Sequence, residues 1–272
     1  MGLLSVVVPT RNEAANIAAC LGVFAQFKGV ETVVVDNHSG DGTADLARQA
    51  GASKVLTLGP ERSAQRNAGW RAASGAYVLF LDADMILPRG SLECLLEVLG
   101  GAHAPDALYV PEVRIGGKGW WTQARNLERS FYDGTAVDAL RVVRRGLLEQ
   151  VGGHDESLDA CEDWDLDRRL LALGIRTGVL REPLLHNEGR LTFRRHLAKK
   201  AYYSGSFEAY LRKWGWDEVS RQQFSPVWRY WLLFMRGGRW KRALRHPVLM
   251  GIVFFERVCV GVLYLTRPRH RR

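Results

Sequence analysis

Four short apolar runs, each closed by a polar or turn-forming residue, set the rhythm of the first third of the chain. Leu4–Val8 is rich in valine and stops at Pro9. Its apolar residues run on with little alternation, the pattern of a strand covered on both faces. Glu31–Val35 repeats the pattern and stops at Asp36-Asn37; Lys54–Leu58 is a shorter third run; Tyr77–Leu81 is the fourth and stops at Asp82. Between the runs the apolar positions move to helical spacing. Ala14, Ala15, Ile17, Ala18 and Leu21 follow Asn12, a residue suited to capping a helix; Leu46 and Ala47 follow a turn at Asp41-Gly42; Ala64–Ala73 is the third helical stretch. Strand and helix thus alternate four times within about ninety residues, which predicts an α/β fold with a mainly parallel central sheet flanked by helices. Such sheets bind ligands beyond the carboxyl ends of their strands. Asp36 and Asp82 are both delivered to that edge.

The pattern loosens over residues 100–155. Gly116 to Trp121 reads as a mobile loop with an aromatic tip, and Leu158–Leu173 returns to helical spacing. Phe193, Leu197 and Ala201 continue that spacing amid arginines and lysines. Pro247–Thr266 is apolar and about as long as a membrane span, but Glu256 and Arg257 lie at its centre, where charge is expensive in hydrocarbon. The expectation is a helix lying in a membrane interface or packed on the domain. The domains expected are a catalytic one over residues 1–190 and a basic, helical C-terminal extension over 191–272.

Charge sharpens this division. The chain of 272 residues carries a net +9. From Arg190 onward 19 Lys and Arg face 4 Asp and Glu, leaving −6 on residues 1–189. An acidic front suits a cation, and a basic, aromatic tail suits an anionic membrane surface. The acidic front and the lack of a nucleic-acid motif speak against nucleic acid as a partner. Cys20, Cys94, Cys161 and Cys259 are too scattered for a zinc site and read as reduced thiols. Leu3–Val8 is too short for the core of a signal peptide; the expectation is a cytoplasmic protein, peripheral to the inner face of the membrane.

The candidate chemistry lies in the acidic residues. Asp82-Ala83-Asp84 places two carboxylates just past a buried strand, where they can share Mg²⁺ or Mn²⁺. A neutral His186 is a competent partner for the same ion. Asp163 sits among Glu162, Asp165 and Asp167 at a helix start. Like charges raise a carboxylate pKa and a helix N-terminus lowers it, so the sequence leaves its sign open. Asp163 is a candidate general base, with Glu162 the alternative. Trp120 and Trp121 are candidates to stack on a sugar or lipid acceptor, or one of the two is core.

Four motifs stand in order: Ser5-Val-Val-Val-Pro-Thr-Arg-Asn-Glu13, Val-Val-Asp36-Asn-His-Ser-Gly-Asp41-Gly-Thr, Gln65-Arg66-Asn67-Ala-Gly69 and Leu-Asp82-Ala83-Asp84. Glu162-Asp163-Trp164-Asp165-Leu166 and His186 follow. Together, over roughly residues 3–190, they resemble family 2 of the glycosyltransferases, with the GT-A nucleotide-sugar-binding fold. The resemblance implies that Pro9, Thr10 and Glu13 line a nucleoside pocket and that Asp36 contacts base or ribose. It implies donor contacts from Arg66, Asn67 and the Asp82-Ala83 pair, with Asp82 on ribose or metal. Asp84 then ligates a divalent cation, Mn²⁺ or Mg²⁺, His186 approaches that ion or the diphosphate, and Asp163 is the base. The expected reaction is inverting transfer from a nucleoside diphosphate-sugar, UDP first and GDP next, to a lipid-linked or other cell-envelope glycan acceptor. Its rivals are a retaining transferase of the same fold and a non-catalytic, membrane-associated nucleotide-sugar-binding protein.

Overall fold

The four apolar runs form the first four strands of one sheet. In the computed structural model, which describes residues 2–117, 119–158, 160–189, 192–203 and 207–266, these are β1 (Leu4–Thr10), β2 (Val30–Asp36), β3 (Lys54–Thr57) and β4 (Tyr77–Phe80). The later strands are β5 (Met85–Ile86), β6 (Ala107–Tyr109), β7 (Glu112–Ile115), β8 (Leu140–Arg144), β9 (Thr177–Val179) and β10 (Leu184–Asn187). The main sheet has the order β3-β2-β1-β4-β8-β6-β9, and β5-β10-β7 form a second ribbon. Only β8 runs against its neighbours, antiparallel to β4 and β6. The strand order reverses at β1, which pairs with β2 on one side and β4 on the other. That reversal opens a crevice at the carboxyl edge, where α/β sheets bind their ligands.

Successive residues of each strand feed opposite layers of the core. Val6, Val8, Val34 and Leu79 join one apolar cluster, while Val7, Val33, Val35, Val78 and Phe80 join the other. Pro9 is tolerated in a central strand because its missing N–H falls past the last pair with β4, which ends at Val7 and Phe80. The helices of this part are α1 (Ile17–Leu21), α2 (Thr43–Gln49), α3 (Arg62–Ala72), α4 (Arg89–Gly100), α6 (Arg145–Val151) and α7 (Glu162–Leu171), with α5 (Trp120–Arg129) inserted between α4 and α6. Helix α3 lies so close to β1 that a Cβ on Gly69 would stand 2.2 Å from Val7 Cγ1. Asn12 does not cap α1, which begins only at Ile17. It takes a left-handed φ of 54° and accepts a hydrogen bond from the Gly40 amide at 3.0 Å. The short side chain of Asn tolerates that conformation, and the bond ties the loop after β1 to the loop after β2.

The chain forms two compact units, Met1–Val113 with Asp138–Asn187 and Arg114–Val137 with Glu188–Arg272. The C-terminal residues therefore do not cluster alone: residues 114–137 join them. In this second unit follow α8 (Phe193–Tyr203), α9 (Phe207–Trp214), α10 (Glu218–Phe224), a π-helical turn at Trp228–Leu232, α11 (Leu233–Met235), α12 (Trp240–Arg245) and α13 (Pro247–Thr266). Asp217 caps α10 by accepting from the Ser220 amide. Trp120 and Trp121 open α5 instead of tipping a loop. Helix α13 packs on α5 and α8. Among the described residues no helix is long and apolar enough to cross a membrane.

Candidate functional site

The carboxyl ends of β1 and β2 make the first wall. Thr10 closes β1 and is buried, and its Oγ1 has no hydrogen-bond partner among the described residues. A buried hydroxyl left unpaired is costly, so Thr10 is a ready contact for a polar ligand. Asp36 closes β2; its carboxylate accepts from the Ser39 amide at 2.9 Å and from the Ser39 hydroxyl. Glu13 accepts from the Asn16 amide group at 2.7 Å, and its own backbone N–H donates to Thr43 Oγ1. Gln65, buried on α3, donates to the carbonyls of both Thr10 and Val35. It holds the two strand ends together, a part the sequence did not disclose.

Arg66 gathers the acidic residues. Its side chain is 1% exposed and reaches Asp163 at 2.7 Å, Asp82 at 3.0 Å and Glu162 at 3.2 Å. Arg141, from β8, lies 3.5 Å from the other oxygen of Asp82. Burial pushes the Asp82 carboxyl up, but Arg66 and Arg141 outweigh it and hold the group well below the usual carboxylate range. Asp163 behaves alike: burial opposes ionisation, and Arg66 and then His154 overcome it. Glu162 goes the other way. Burial and the negative charge of Asp163 push it up to about 7, against the pull of Arg66. The two neighbours thus differ: Asp163 is 35% exposed and favours its ionised form, whereas Glu162 is nearly buried and its pKa is raised.

Asp84 and His186 form the third group. They are 102 positions apart in sequence, yet Asp84 Oδ2 and His186 Nε2 lie 3.1 Å apart. The strands explain this. Antiparallel β5 and β10 place Met85 opposite His186, and the Asn187 amide donates to the Asp84 carbonyl at 2.8 Å. His186 Nδ1 meets Glu112 of β7 at 2.9 Å. Burial disfavours the imidazolium, but Asp84 and Glu112 outweigh it and raise its pKa to about 9. Nitrogen and oxygen 3.1 Å apart match two neighbouring ligands of an octahedral ion with bonds of about 2.1 Å. A carboxylate on the far ring nitrogen, as Glu112 provides, is the usual support of a metal-bound histidine. Among the described residues no group of three or more His, Cys, Asp or Glu could hold an ion. An ion at Asp84 and His186 would thus need its further ligands from outside the described residues.

The remaining expectations fall differently. Asn67 is buried and its amide is fully engaged. It donates to the His154 carbonyl and to Glu156, and accepts from the Trp70 indole and the His154 amide. It clamps the loop before α7. Ala83 is buried between the two aspartates. Trp121 lies in the second unit, where its indole donates to Glu256 at 2.8 Å and Arg125 covers its ring at 4.9 Å. It is a packing residue there, whereas Trp120 is exposed. Glu112, Arg141 and His154 escaped the sequence reading, since each is a single polar residue in an ordinary context. His154 is buried beside Phe80, with Nε2 3.4 Å from Asp163 Oδ1.

Comparison with known proteins bears on the family and the fold. The family described as "Glycosyl transferase family 2" matches residues 5–149. The pre-mycofactocin glycosyltransferase of Mycobacterium tuberculosis is 29% identical over 231 residues, covering 75% of this chain and 46% of that protein. The chain thus spans about half the length of that relative. Among solved structures, the mannosyltransferase PcManGT of Pyrobaculum calidifontis, in complex with GDP-Man and Mn²⁺, superposes with a TM-score of 0.64 at 18% identity, covering 97% of this chain and 87% of that one. TarS of S. aureus, in complex with UDP-GlcNAc, gives 0.57 at 19% identity, over 95% and 81%. These two share the GT-A fold. From the ordered motifs, the sheet that carries them and the match over more than half its length, the chain belongs to glycosyltransferase family 2.

Proposed function

We propose that this chain is a glycosyltransferase that moves a sugar, with inversion, from a nucleoside diphosphate-sugar to an acceptor hydroxyl. The observation that carries the reading is the Asp84–His186 pair, 3.1 Å apart, on the same chain as an ionised Asp163 held by Arg66. The nucleoside lies against Pro9, Thr10, Glu13 and Asp36, where the unpaired Thr10 hydroxyl awaits a polar partner. Asp82 and Ala83 face the ribose and diphosphate, and Arg66 and Arg141 offset negative charge beside Asp82. Asp84 and His186, with Asp82 beside them, would hold Mn²⁺ or Mg²⁺, which when bound neutralises the diphosphate.

Asp163 takes the proton of the acceptor hydroxyl, whose oxygen bonds to the anomeric carbon. The carbon–oxygen bond to the diphosphate breaks, and the nucleoside diphosphate leaves with that electron pair. A uridine diphosphate-sugar is the first donor to test and a guanosine one the second. The basic, aromatic C-terminal residues favour an acceptor carried on a lipid or in the cell envelope, and a place at the inner face of the membrane. Glu162 is the second candidate base, because burial and the charge of Asp163 raise its pKa above the usual carboxylate range, toward that of a base that can exchange a proton.

Titration of the full chain with UDP- and GDP-sugars, with and without Mn²⁺, tests the donor and the ion. Binding of one donor that strengthens with Mn²⁺ and fails in Asp84→Ala is expected; metal-indifferent binding would remove the cation from the reading. Once an acceptor is in hand, Asp163→Asn should lower kcat by roughly 10²–10⁴-fold. Loss in Glu162→Gln with Asp163→Asn unaffected would transfer the role to Glu162. An α-linked donor giving an α-linked product by NMR would replace inversion with retention.

A further inference from the structure

Helix α13 is inverted for a helix on a protein surface. Its two charged residues face inward: Glu256 is 6% exposed and Arg257 8%. Glu256 accepts from the Trp121 indole at 2.8 Å and lies 2.7 Å from His196 Nε2. Arg257 donates to Glu128 and to the Tyr132 hydroxyl, and lies over the Phe234 ring at 4.8 Å. The opposite face carries Val248, Gly251, Phe255, Val258 and Val262, a stripe at spacings of three and four residues. Along it Phe255 is 63% exposed, Val258 56%, Val248 54% and Val262 53%. Water thus meets an apolar stripe along a helix of 20 residues, about 30 Å long at 1.5 Å per residue. A continuous exposed stripe of this kind marks an interaction surface.

We propose that the outer face of α13 seats this protein on an anionic lipid bilayer. Charge selects that occupant. Exposed Arg236, Lys241 and Arg245 precede the helix, with exposed Met235, Trp240 and Leu244 among them. In sequence Arg267, Arg269, Arg271 and Arg272 follow it. An apolar stripe flanked by cations matches acyl chains bordered by anionic head groups. A second copy meeting the same face would bring like charges together. An interfacial helix ordinarily turns a polar side to water; α13 has no such need, because α5 and α8 cover its charged side. The inference rests on the membrane placement proposed above and assigns it a surface; none of these residues belongs to the acidic site, so failed vesicle binding leaves the transfer chemistry standing.

The test is sedimentation of the full chain with phosphatidylcholine vesicles, with and without phosphatidylglycerol. Binding to the anionic vesicles is expected, weakened about tenfold or more on neutral ones. Val248→Ser combined with Val258→Ser, which leaves the stacking of Phe255 on Phe193 intact, should weaken anionic binding about tenfold or more, with circular dichroism and Tm little changed. Phe255→Trp should keep it, since tryptophan suits the interface. No binding by the unaltered protein would overturn the proposal, as would equal binding by the double-serine variant. Self-association of the unaltered protein, abolished in that variant and without vesicle binding, would assign the face to a second copy instead.

Discussion

Removing the Arg66 guanidinium should leave Asp82, Glu162 and Asp163 facing one another, offset only by the weaker pull of Arg141, Arg62 and His154. Arg66→Met is expected to lower stability by about 2–4 kcal/mol, toward the low end for a broken buried pair because Asp82 and Asp163 still see solvent. Denaturant unfolding reads the loss; a change within error would mean that the carboxylates protonate at little cost. Glu31 offers a pH test away from the site. Burial pushes its carboxyl up, but hydrogen bonds from Lys54, Ser5 and Ser74 prevail and lower its pKa to about 2. A carboxyl lowered by folding stabilises above its unfolded pKa, and that contribution is lost as pH falls toward the folded value. Glu31→Gln should therefore cost about 1–2 kcal/mol at neutral pH, with allowance for partial exposure, and next to nothing near pH 2. A penalty equal at both pH values would contradict the assignment. At this scale the sequence disclosed Asp36 and Asp82, which end apolar strands, because strand geometry alone takes them to one edge, whereas Thr10 came only through the family resemblance. It hid Glu112, Arg141 and His154, whose partners are distant in sequence and are met only through tertiary pairing.

Between α6 and α7 the chain turns through Gly152 and Gly153, and the turn has no room to spare. Gly153 has φ +77°, and a Cβ there would stand 2.4 Å from Asn67 Oδ1 and 2.5 Å from Trp70 Nε1. Gly153→Ala should force Asn67 off the His154 backbone, release the loop that carries His154, and destabilise by about 2 kcal/mol or more. The same variant should lose transfer activity although no reacting group has changed. Thermal unfolding and kcat measured together test this, and a fully active, fully stable alanine variant would show that the clamp is dispensable. Elements were legible where periodicity was pure, as in β1, β2 and α3. The orientation of α13 was not. Its central charges argued against a span, but only the partners Trp121, His196 and Glu128 explain which way those charges turn.

Each unit carries its own logic. The first has a two-layered core around a sheet of 7 strands, and its acidic residues cluster at the carboxyl edge. The second is helical, with Tyr210, Phe131 and Leu233 buried at its centre. The change of charge near residue 190 hinted at two parts. It could not show that residues 114–137 join the later one, because contact, not composition, decides membership. The pairing of Asp84 with His186 has a consequence in time. The nucleoside contacts proposed above, Pro9 to Asp36, leave the ribosome early, whereas His186 arrives on β10, 102 positions after its partner. A chain still in synthesis thus carries the proposed donor contacts long before it carries the whole proposed set of groups for the chemistry. Arrested nascent chains should therefore consume no donor sugar until residues through Asn187 have cleared the exit tunnel, and donor hydrolysis by shorter arrested chains would refute this order.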